Sequence, residues 1–353
     1  MLDASAFREL VSGRRRGVGA SLLRGVLRAA EVPYAWGVRW QNRRYDRNDS
    51  AATRVSVPVV CVGNLTLGGT GKTPMVKWIA RWFGERGVSV AIVSRGYGAA
   101  AGAKNDEALE LEQALAGVPH VQNPDRVAGA REALERFGAG LILLDDGFQH
   151  RRLARDLDVV LLDATAPFGY EHVFPRGMLR EPVEGLARAD VVCLTRADVL
   201  DAKGRAAVRL RVAELAPQAV WCEASHAPCE LRNSAGETRP LESLKGRRVA
   251  AFAGIGNPAA FRRTLEELGA ETSFWREFPD HHSYGEVDRA ALAAEIASAQ
   301  CELVVATHKD LVKLPITELG GCPLWALVVE MRFADQGTML KRALEHVLPA
   351  SKP

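Results

Sequence analysis

From residue 57 onward the chain alternates short, continuous apolar runs with segments whose apolar residues recur every three or four positions. Runs bounded by turn signals predict strands buried on both faces, and the intervening period predicts amphipathic helices. The expected strands are VPVVCV, VSVAIVS, LILLDD, LDVVLLDA, DVVCLT, AVWCEA, RRVAAFAG, ELVVATH and PLWALVVEM. Helices are expected to begin near Thr73, Asp106, Asp125, Lys203, Pro258, Gly285 and Gln336. Such alternation builds a parallel sheet covered by helices. Roughly nine strands exceed what one compact sheet usually holds, and the polar stretch RNSAGETRPLESLKGRR, 232–248, reads as a boundary. The expectation is an α/β chain with a larger domain over 51–231, a smaller α/β domain over 232–320, and a C-terminal segment, 321–353, returning to the first.

The pattern before residue 57 is different. In GASLLRGVLRAAEVPYAWGVRW, Leu22, Leu23, Val26, Leu27 and Ala30 share one helical face, Arg24 and Arg28 fall opposite, and Pro33 ends the pattern. Arg14, Arg15 and Arg16 precede it; Tyr34, Trp36 and Trp40 follow. Residues 1–50 thus form an amphipathic helical segment. A basic helix with aromatic neighbours suits the headgroup boundary of a bilayer, and the same periodicity suits a helix packed on the protein's own core. Both readings stand at this point.

Composition narrows the choices. The 353 residues are 47% hydrophobic and 25% charged, an ordinary globular balance. Net charge is only +3, yet residues 1–50 hold ten arginines against five acidic residues. The basic character is local, pointing to an anionic membrane surface at one end of the chain rather than to a nucleic-acid channel. Six scattered cysteines form no C-x-x-C pair and no zinc spacing, as expected in a reducing cytosol. No signal-peptide pattern and no run of eighteen apolar residues occurs.

The stretch PVVCVGNLTLGGTGKTP, Pro58 to Pro74, has the order of strand, glycine-rich turn and helix that a phosphate-binding loop requires. Gly68, Gly69 and Gly71 let backbone N–H groups turn toward phosphate oxygens, and the helix start adds its positive dipole end. Lys72 is suited to bridge the outer phosphates, and the Thr73 hydroxyl to hold magnesium. Thr66 stands where the usual G-x-x-x-x-G-K-[ST] has glycine. LILLDDGFQH, 141–150, is the expected companion: a strand ending in carboxylates, with Asp145 the magnesium partner and Asp146 its neighbour. VFPRGMLREP, 173–182, places Arg176, Arg180 and Glu181 in a Pro- and Gly-bounded loop suited to phosphate clamping with a carboxylate beside the metal. FPDHHSY, 278–284, offers adjacent histidines without further zinc ligands at a suitable spacing, so an acid–base or substrate role for one of them competes with a structural one. LTRAD, 194–198, resembles the T-K-x-D guanine signal with Arg196 at the lysine position, which keeps open a P-loop GTPase or metal-chaperone ATPase acting on a protein partner.

Taken in order, GNLTLGGTGKTP, SRGYG (94–98), DDGFQH, PRGMLREP, GIGNP, DHH and THKDLVKL resemble the tetraacyldisaccharide 4'-kinase family of lipid A biosynthesis, over about residues 30–315. Thr66 is itself a feature of that family's loop. The resemblance implies a P-loop kinase-like parallel sheet domain hinged to a smaller α/β domain. It implies ATP and Mg2+, a lipid disaccharide substrate and no obligate protein partner. It places the enzyme at the cytoplasmic face of the inner membrane, as a peripheral protein. Carried over by motif, Thr66, Leu67, Gly68, Gly69, Thr70, Gly71, Lys72 and Thr73 form the ATP loop, and Thr73, Asp145, Asp146 and Glu181 lie around magnesium. Asp106 acts as base with His281 of the DHH motif, Lys72 is catalytic, and Asn64, Arg95, Gln149, His150 and Arg180 bind substrate. Asn105 departs from the glycine that more often precedes Asp-Glu in that family.

Overall fold

The computed structural model describes residues 4–47, 52–96, 106–280 and 282–348. The first elements are α1 (Ala4–Val11), α2 (Val18–Asp46), β1 (Val59–Asn64), α3 (Lys72–Gly84), β2 (Val90–Ser94), α4 (Asp106–Ala114), β3 (His120–Gln122) and α5 (Arg126–Phe137). Next come β4 (Leu141–Asp145), β5 (Leu157–Asp163), β6 (Val191–Thr195), α6 (Ala202–Leu215), β7 (Val220–Arg232), β8 (Thr238–Arg239) and β9 (Arg248–Ala253). The chain ends with α7 (Pro258–Glu267), β10 (Glu271–Glu277), α8 (Glu286–Ser298), β11 (Leu303–Thr307), α9 (His308–Leu311), β12 (Glu318–Leu319), β13 (Cys322–Phe333) and α10 (Thr338–Glu345).

Each apolar run read as a strand is one, because a run buried on both faces is what the interior of a parallel sheet demands. The strands not foreseen are β3, β8, β10 and β12. Of these, β3 and β10 lie at sheet ends, and β10, ETSFWRE, is polar and half-exposed. Edge strands carry polar residues and therefore leave no apolar run to read.

Two compact units divide the chain: Met1–Gly96, Gly117–Ser225 and Arg332–Pro353 in one, Tyr97–Ala116 and His226–Met331 in the other. The long strands β7 and β13 pass from one to the other. In the first unit the strand order is β7-β6-β5-β1-β4-β2-β3, every pairing parallel. Val59, Cys61, Ile142, Leu144, Val160 and Leu162 are almost wholly buried in its core; each fully buried leucine contributes about 2 kcal/mol relative to exposure. Asp125 caps α5, accepting from the N–H groups of Val127 and Ala128, a contribution of about 1 kcal/mol. In the second unit β10-β9-β11-β13 are parallel. Phe261 and Leu265 of α7 pack on one face and Leu292 and Ile296 of α8 on the other. The polar stretch 232–248 lies within this unit, as a tight turn and the short strand β8.

One expectation is overturned. Pro33 does not end its helix; α2 runs through it for 29 residues. The missing N–H frees only the carbonyl of Ala29, on an exposed stretch where water can serve it. The faces of α2 also differ from the expected pattern. Arg24, Leu27, Glu31, Ala35, Val38 and Asn42 form the less exposed stripe, whereas Leu22, Val26, Val32, Trp36 and Trp40 are 63–70% exposed. The stripe mixes apolar residues, Ala35 among the buried core, with polar ones that find partners: Arg24 donates to the Arg15 carbonyl (2.9 Å), Glu31 accepts from the Val173 N–H (2.8 Å), and Asn42 donates to Glu181 (3.0 Å).

Candidate active site

The carboxyl ends of the central strands carry the polar residues. Parallel register sets Val62 beside Asp145, Asn64 beside Leu161, and Asp163 beside Thr195. That edge is where open α/β sheets hold ligands. After β1 the chain is gripped from the side: Leu67 N–H donates to the Met178 carbonyl (2.7 Å) and Arg180 N–H to the Leu65 carbonyl (2.7 Å). The PRGMLREP loop is thereby bonded to the glycine loop. Gly71 adopts φ 91°, a left-handed conformation that a residue with a Cβ rarely accepts, and turns the chain into α3. No side chain caps α3, so its first N–H groups face outward with the positive end of the helix dipole. The Thr70 hydroxyl is buried without a hydrogen-bond partner among the described residues. Lys72 Nζ donates to Asn64 Oδ1 (3.3 Å) and lies 3.6 Å from Asp146 Oδ1.

The two aspartates have different surroundings. Asp145, at the tip of β4, is 4% exposed. Asp146 turns away with φ 52° and accepts two hydrogen bonds from Arg180 Nη1 (2.8 and 2.9 Å). Burial alone would raise its pKa; Lys72 and then Arg180 outweigh it and hold the carboxyl below the usual range. The following turn lies close against β1, where a Cβ on Gly63 would sit 2.5 Å from that of Phe148.

Glu181 is 1% exposed, with both oxygens taken by Arg188 Nη2 (2.8 Å each) and one each by Gln149 (3.0 Å) and Asn42 (3.0 Å). Gln149 also donates to the Asn64 carbonyl (2.9 Å). Asn64 is wholly buried, and its amide donates to the Thr66 carbonyl (2.7 Å). Asn64, Gln149 and Glu181 thus form one network beneath the loop. Among the described residues no group of three or more His, Cys, Asp or Glu side chains could hold a metal ion; the structure does not gather Asp145, Asp146 and Glu181 into a three-carboxylate centre. Arg176 donates to the Val11 carbonyl at the end of α1 (3.1 Å).

The motifs GIGNP, FPDHHSY and THKDLVKL fall in the second unit. Asp310 of THKD is wholly buried and accepts from Gly254 N–H (3.1 Å), the Tyr284 hydroxyl (2.8 Å) and the Thr307 hydroxyl (2.6 Å). One carboxylate therefore ties the GIGNP turn, the DHHSY segment and THKD together. His308 Nδ1 lies 3.8 Å from Glu110 of α4, the helix that Asp106 begins. His282 meets Asp288 (3.1 Å) and stacks on Phe278 at 4.6 Å; His281 lies outside the described residues.

Sequence reasoning missed Arg126, at the start of α5. It is 4% exposed, and its Nε is buried without a hydrogen-bond partner among the described residues. Burial lowers its pKa and Arg95 adds to this, while Asp146 and Asp145 oppose it. Arg126 therefore shares the electrostatic neighbourhood of Arg95 and both aspartates. Burial, then Arg126, pushes His150 from 6.5 to about 4. The one signal for Arg126 was an arginine directly after a helix-capping aspartate. Arg188 and Asn42 were also missed, each lying outside any motif.

Backbone donors, a lysine and an uncapped helix start converging on one turn can hold a polyphosphate, and the aspartate-tipped strand beside them supplies the usual metal partner. The fold and site are those of P-loop phosphotransferases. The profile described as tetraacyldisaccharide-1-P 4'-kinase matches residues 23–348. A tetraacyldisaccharide 4'-kinase of Anaeromyxobacter sp. (strain K) is 44% identical over 96% of this chain and 94% of its own length, and one from Syntrophus aciditrophicus (strain SB) is 38% identical over 89% of each. The crystal structure of LpxK from Aquifex aeolicus in complex with ATP aligns with TM-score 0.74 and 29% identity, covering 92% of this chain and 99% of that one. The chain belongs to the tetraacyldisaccharide-1-P 4'-kinase family. This sets aside the switch-GTPase and metal-chaperone readings.

Proposed function

We propose that this chain transfers the γ-phosphoryl group of ATP to the 4'-hydroxyl of a tetraacyldisaccharide 1-phosphate, giving lipid IVA. The observation that carries the reading is the loop from Thr66 to Thr73, with Lys72 held between Asn64 and Asp146 at the start of an uncapped helix. Backbone N–H groups of Gly68, Gly69, Thr70 and Gly71 receive the phosphate oxygens, and the buried Thr70 hydroxyl gains the partner it lacks. Lys72 neutralises charge on the transferring group. Magnesium, when bound, shields the phosphate oxygens from the incoming alcohol; the Thr73 hydroxyl and the Asp145 carboxylate suit it, since this ion takes one or two carboxylates and fills the rest with phosphate and water. Asp146, ionised between Lys72 and Arg180, keeps those two cations in place. Glu181, engaged by Arg188, Gln149 and Asn42, fixes Gln149 and Asn64 under the loop.

Asp106 accepts the proton of the sugar hydroxyl and His281 orients or shares it. His282 being engaged by Asp288 and Phe278 supports giving that role to its neighbour. Arg95 and Arg180, with Arg126, form the cationic surroundings that suit the phosphorylated sugar, and His150 stands beside them as a neutral imidazole. The outward apolar face of α2, beside exposed Arg14, Arg15 and Arg16, supports peripheral attachment at the cytoplasmic face of the inner membrane; among the described residues no helix is long and apolar enough to cross a membrane. The test is purified full-length protein with ATP, Mg2+ and the disaccharide 1-phosphate, read by mass spectrometry. A bisphosphorylated product is expected from the parent and at least tenfold less from Lys72→Ala, a barrier increase of about 1.4 kcal/mol or more. Protein-stimulated GTP hydrolysis without lipid product would overturn the proposal.

A further inference from the structure

The LTRAD stretch finds no use in the reaction as described, yet its first two polar residues touch the phosphate loop. Thr195, the last residue of β6, is wholly buried, and its hydroxyl donates to the Thr70 carbonyl (2.8 Å). Arg196, in a left-handed turn with φ 52°, donates through Nη2 to the Gly69 carbonyl (3.1 Å). Its other terminal nitrogen bonds to Asp163 at the tip of β5, and Asp163 is itself fixed by the N–H (2.9 Å) and hydroxyl (2.8 Å) of Thr165. Two consecutive loop carbonyls are thus pulled toward the ends of β5 and β6.

A trans peptide is planar, so its C=O and the N–H of the next residue point in opposite directions. Fixing the Gly69 carbonyl on Arg196 aims the Thr70 N–H the other way, and fixing the Thr70 carbonyl on Thr195 does the same for the Gly71 N–H. Peptides free to rotate would spend part of their time with a carbonyl oxygen facing the phosphates, which repels them. We propose that Thr195 and Arg196 are positioning residues for phosphoryl transfer: by holding two carbonyls back, they present two consecutive N–H groups to the polyphosphate. Arg196 acts from behind the loop and does not read the nucleotide base. This rests on the phosphate-loop reading of residues 66–73.

The experiment measures KM for ATP, kcat, and inhibition by inorganic tripolyphosphate, which has the phosphates and lacks the base. The full-length variants are Thr195→Val, Thr195→Ser, Arg196→Ala and Lys72→Ala, each checked by melting temperature. Thr195→Val and Arg196→Ala should raise KM for ATP by about tenfold and weaken tripolyphosphate by the same factor, which corresponds to about 1.4 kcal/mol, the scale of one hydrogen bond. Thr195→Ser keeps the hydroxyl and should stay within about twofold of the parent. Unchanged KM in Thr195→Val and Arg196→Ala, with Lys72→Ala still impaired, would overturn the positioning role and leave the loop standing. Weakened ATP with unchanged tripolyphosphate in Arg196→Ala would make it a base contact and equally overturn the inference. Lys72→Ala binding ATP and tripolyphosphate like the parent would remove the loop reading itself. Arg196 is half-buried, so its variant decides the matter even where Thr195→Val does not fold.

Discussion

His150 shows how one side chain can be legible in kind and misread in environment. It stands at the end of the DDGFQH motif, but burial and Arg126 keep its imidazole neutral, with a pKa of about 4 against the usual 6.5. Between those values the unfolded chain binds a proton that the native state refuses. Stability from this group is therefore complete above pH 6.5 and falls as pH drops toward 4. Asp146, whose pKa is depressed, acts in a lower window: its contribution is lost only as pH falls below the ordinary carboxylate range. Melting temperatures recorded from about pH 7 to pH 5 should fall more steeply in the parent than in His150→Gln. Equal slopes would show that the imidazole is not held neutral. Lys72 and Asp146 were readable because a motif fixes both type and spacing. Arg126 was not, because a single arginine at a helix start reads as a solvated charge, and only the fold reveals that its side chain is buried near two carboxylates.

At the scale of the element, α2 carries the clearest departure from its own pattern. A helix with one apolar stripe is expected to bury it; this one turns Glu31, Ala35 and Asn42 inward and leaves Leu22, Val26, Trp36 and Trp40 exposed. The periodicity was right and the direction was not readable, because direction depends on what the neighbouring surface offers. Here that surface offers polar partners: the Arg15 carbonyl for Arg24, the Val173 N–H for Glu31 and the Glu181 carboxylate for Asn42. An exposed apolar stripe makes substitutions there harmless to the fold. Leu22→Asp with Val26→Asp should leave the melting temperature within about 2 °C of the parent, consistent with surface changes of about 0.5 kcal/mol. The same pair should release the protein from anionic vesicles. Replacing Arg14, Arg15 and Arg16 with glutamine should also weaken vesicle binding, by about 1 kcal/mol per arginine at low salt and less at high salt. Arg24 is excluded from that set, since its bonds to the Arg15 carbonyl and Ser21 hydroxyl are structural. A collapse in melting temperature of the aspartate variant, with vesicle binding of the glutamine variant unchanged, would show that the stripe is covered by protein.

At the scale of the whole molecule, the buried strands were legible and the edges were not, for the reason seen in β10: polar edge strands carry no apolar run. The motifs were legible as a set, and what their residues bond to was not. Asp310 is one such residue, binding three motifs of the second unit to each other. The phosphate loop belongs to the unit containing β1 and α3, and α4, which Asp106 begins, to the unit containing β9 and β11. Each unit has its own buried core, so a substitution in one should leave the ligand-binding part of the other intact. Asp106→Ala and His281→Ala should each lower the chemical rate about a hundredfold or more, the scale of general-base catalysis. Both should keep the rise in melting temperature that ATP gives the parent, because the loop is unchanged. The double variant should lose little beyond the worse single one, since two groups handling one proton act as a unit. Multiplicative losses would mean that the two side chains work independently, and loss of the ATP-dependent shift in either single variant would mean that nucleotide binding depends on Asp106 or His281 as well as on the loop.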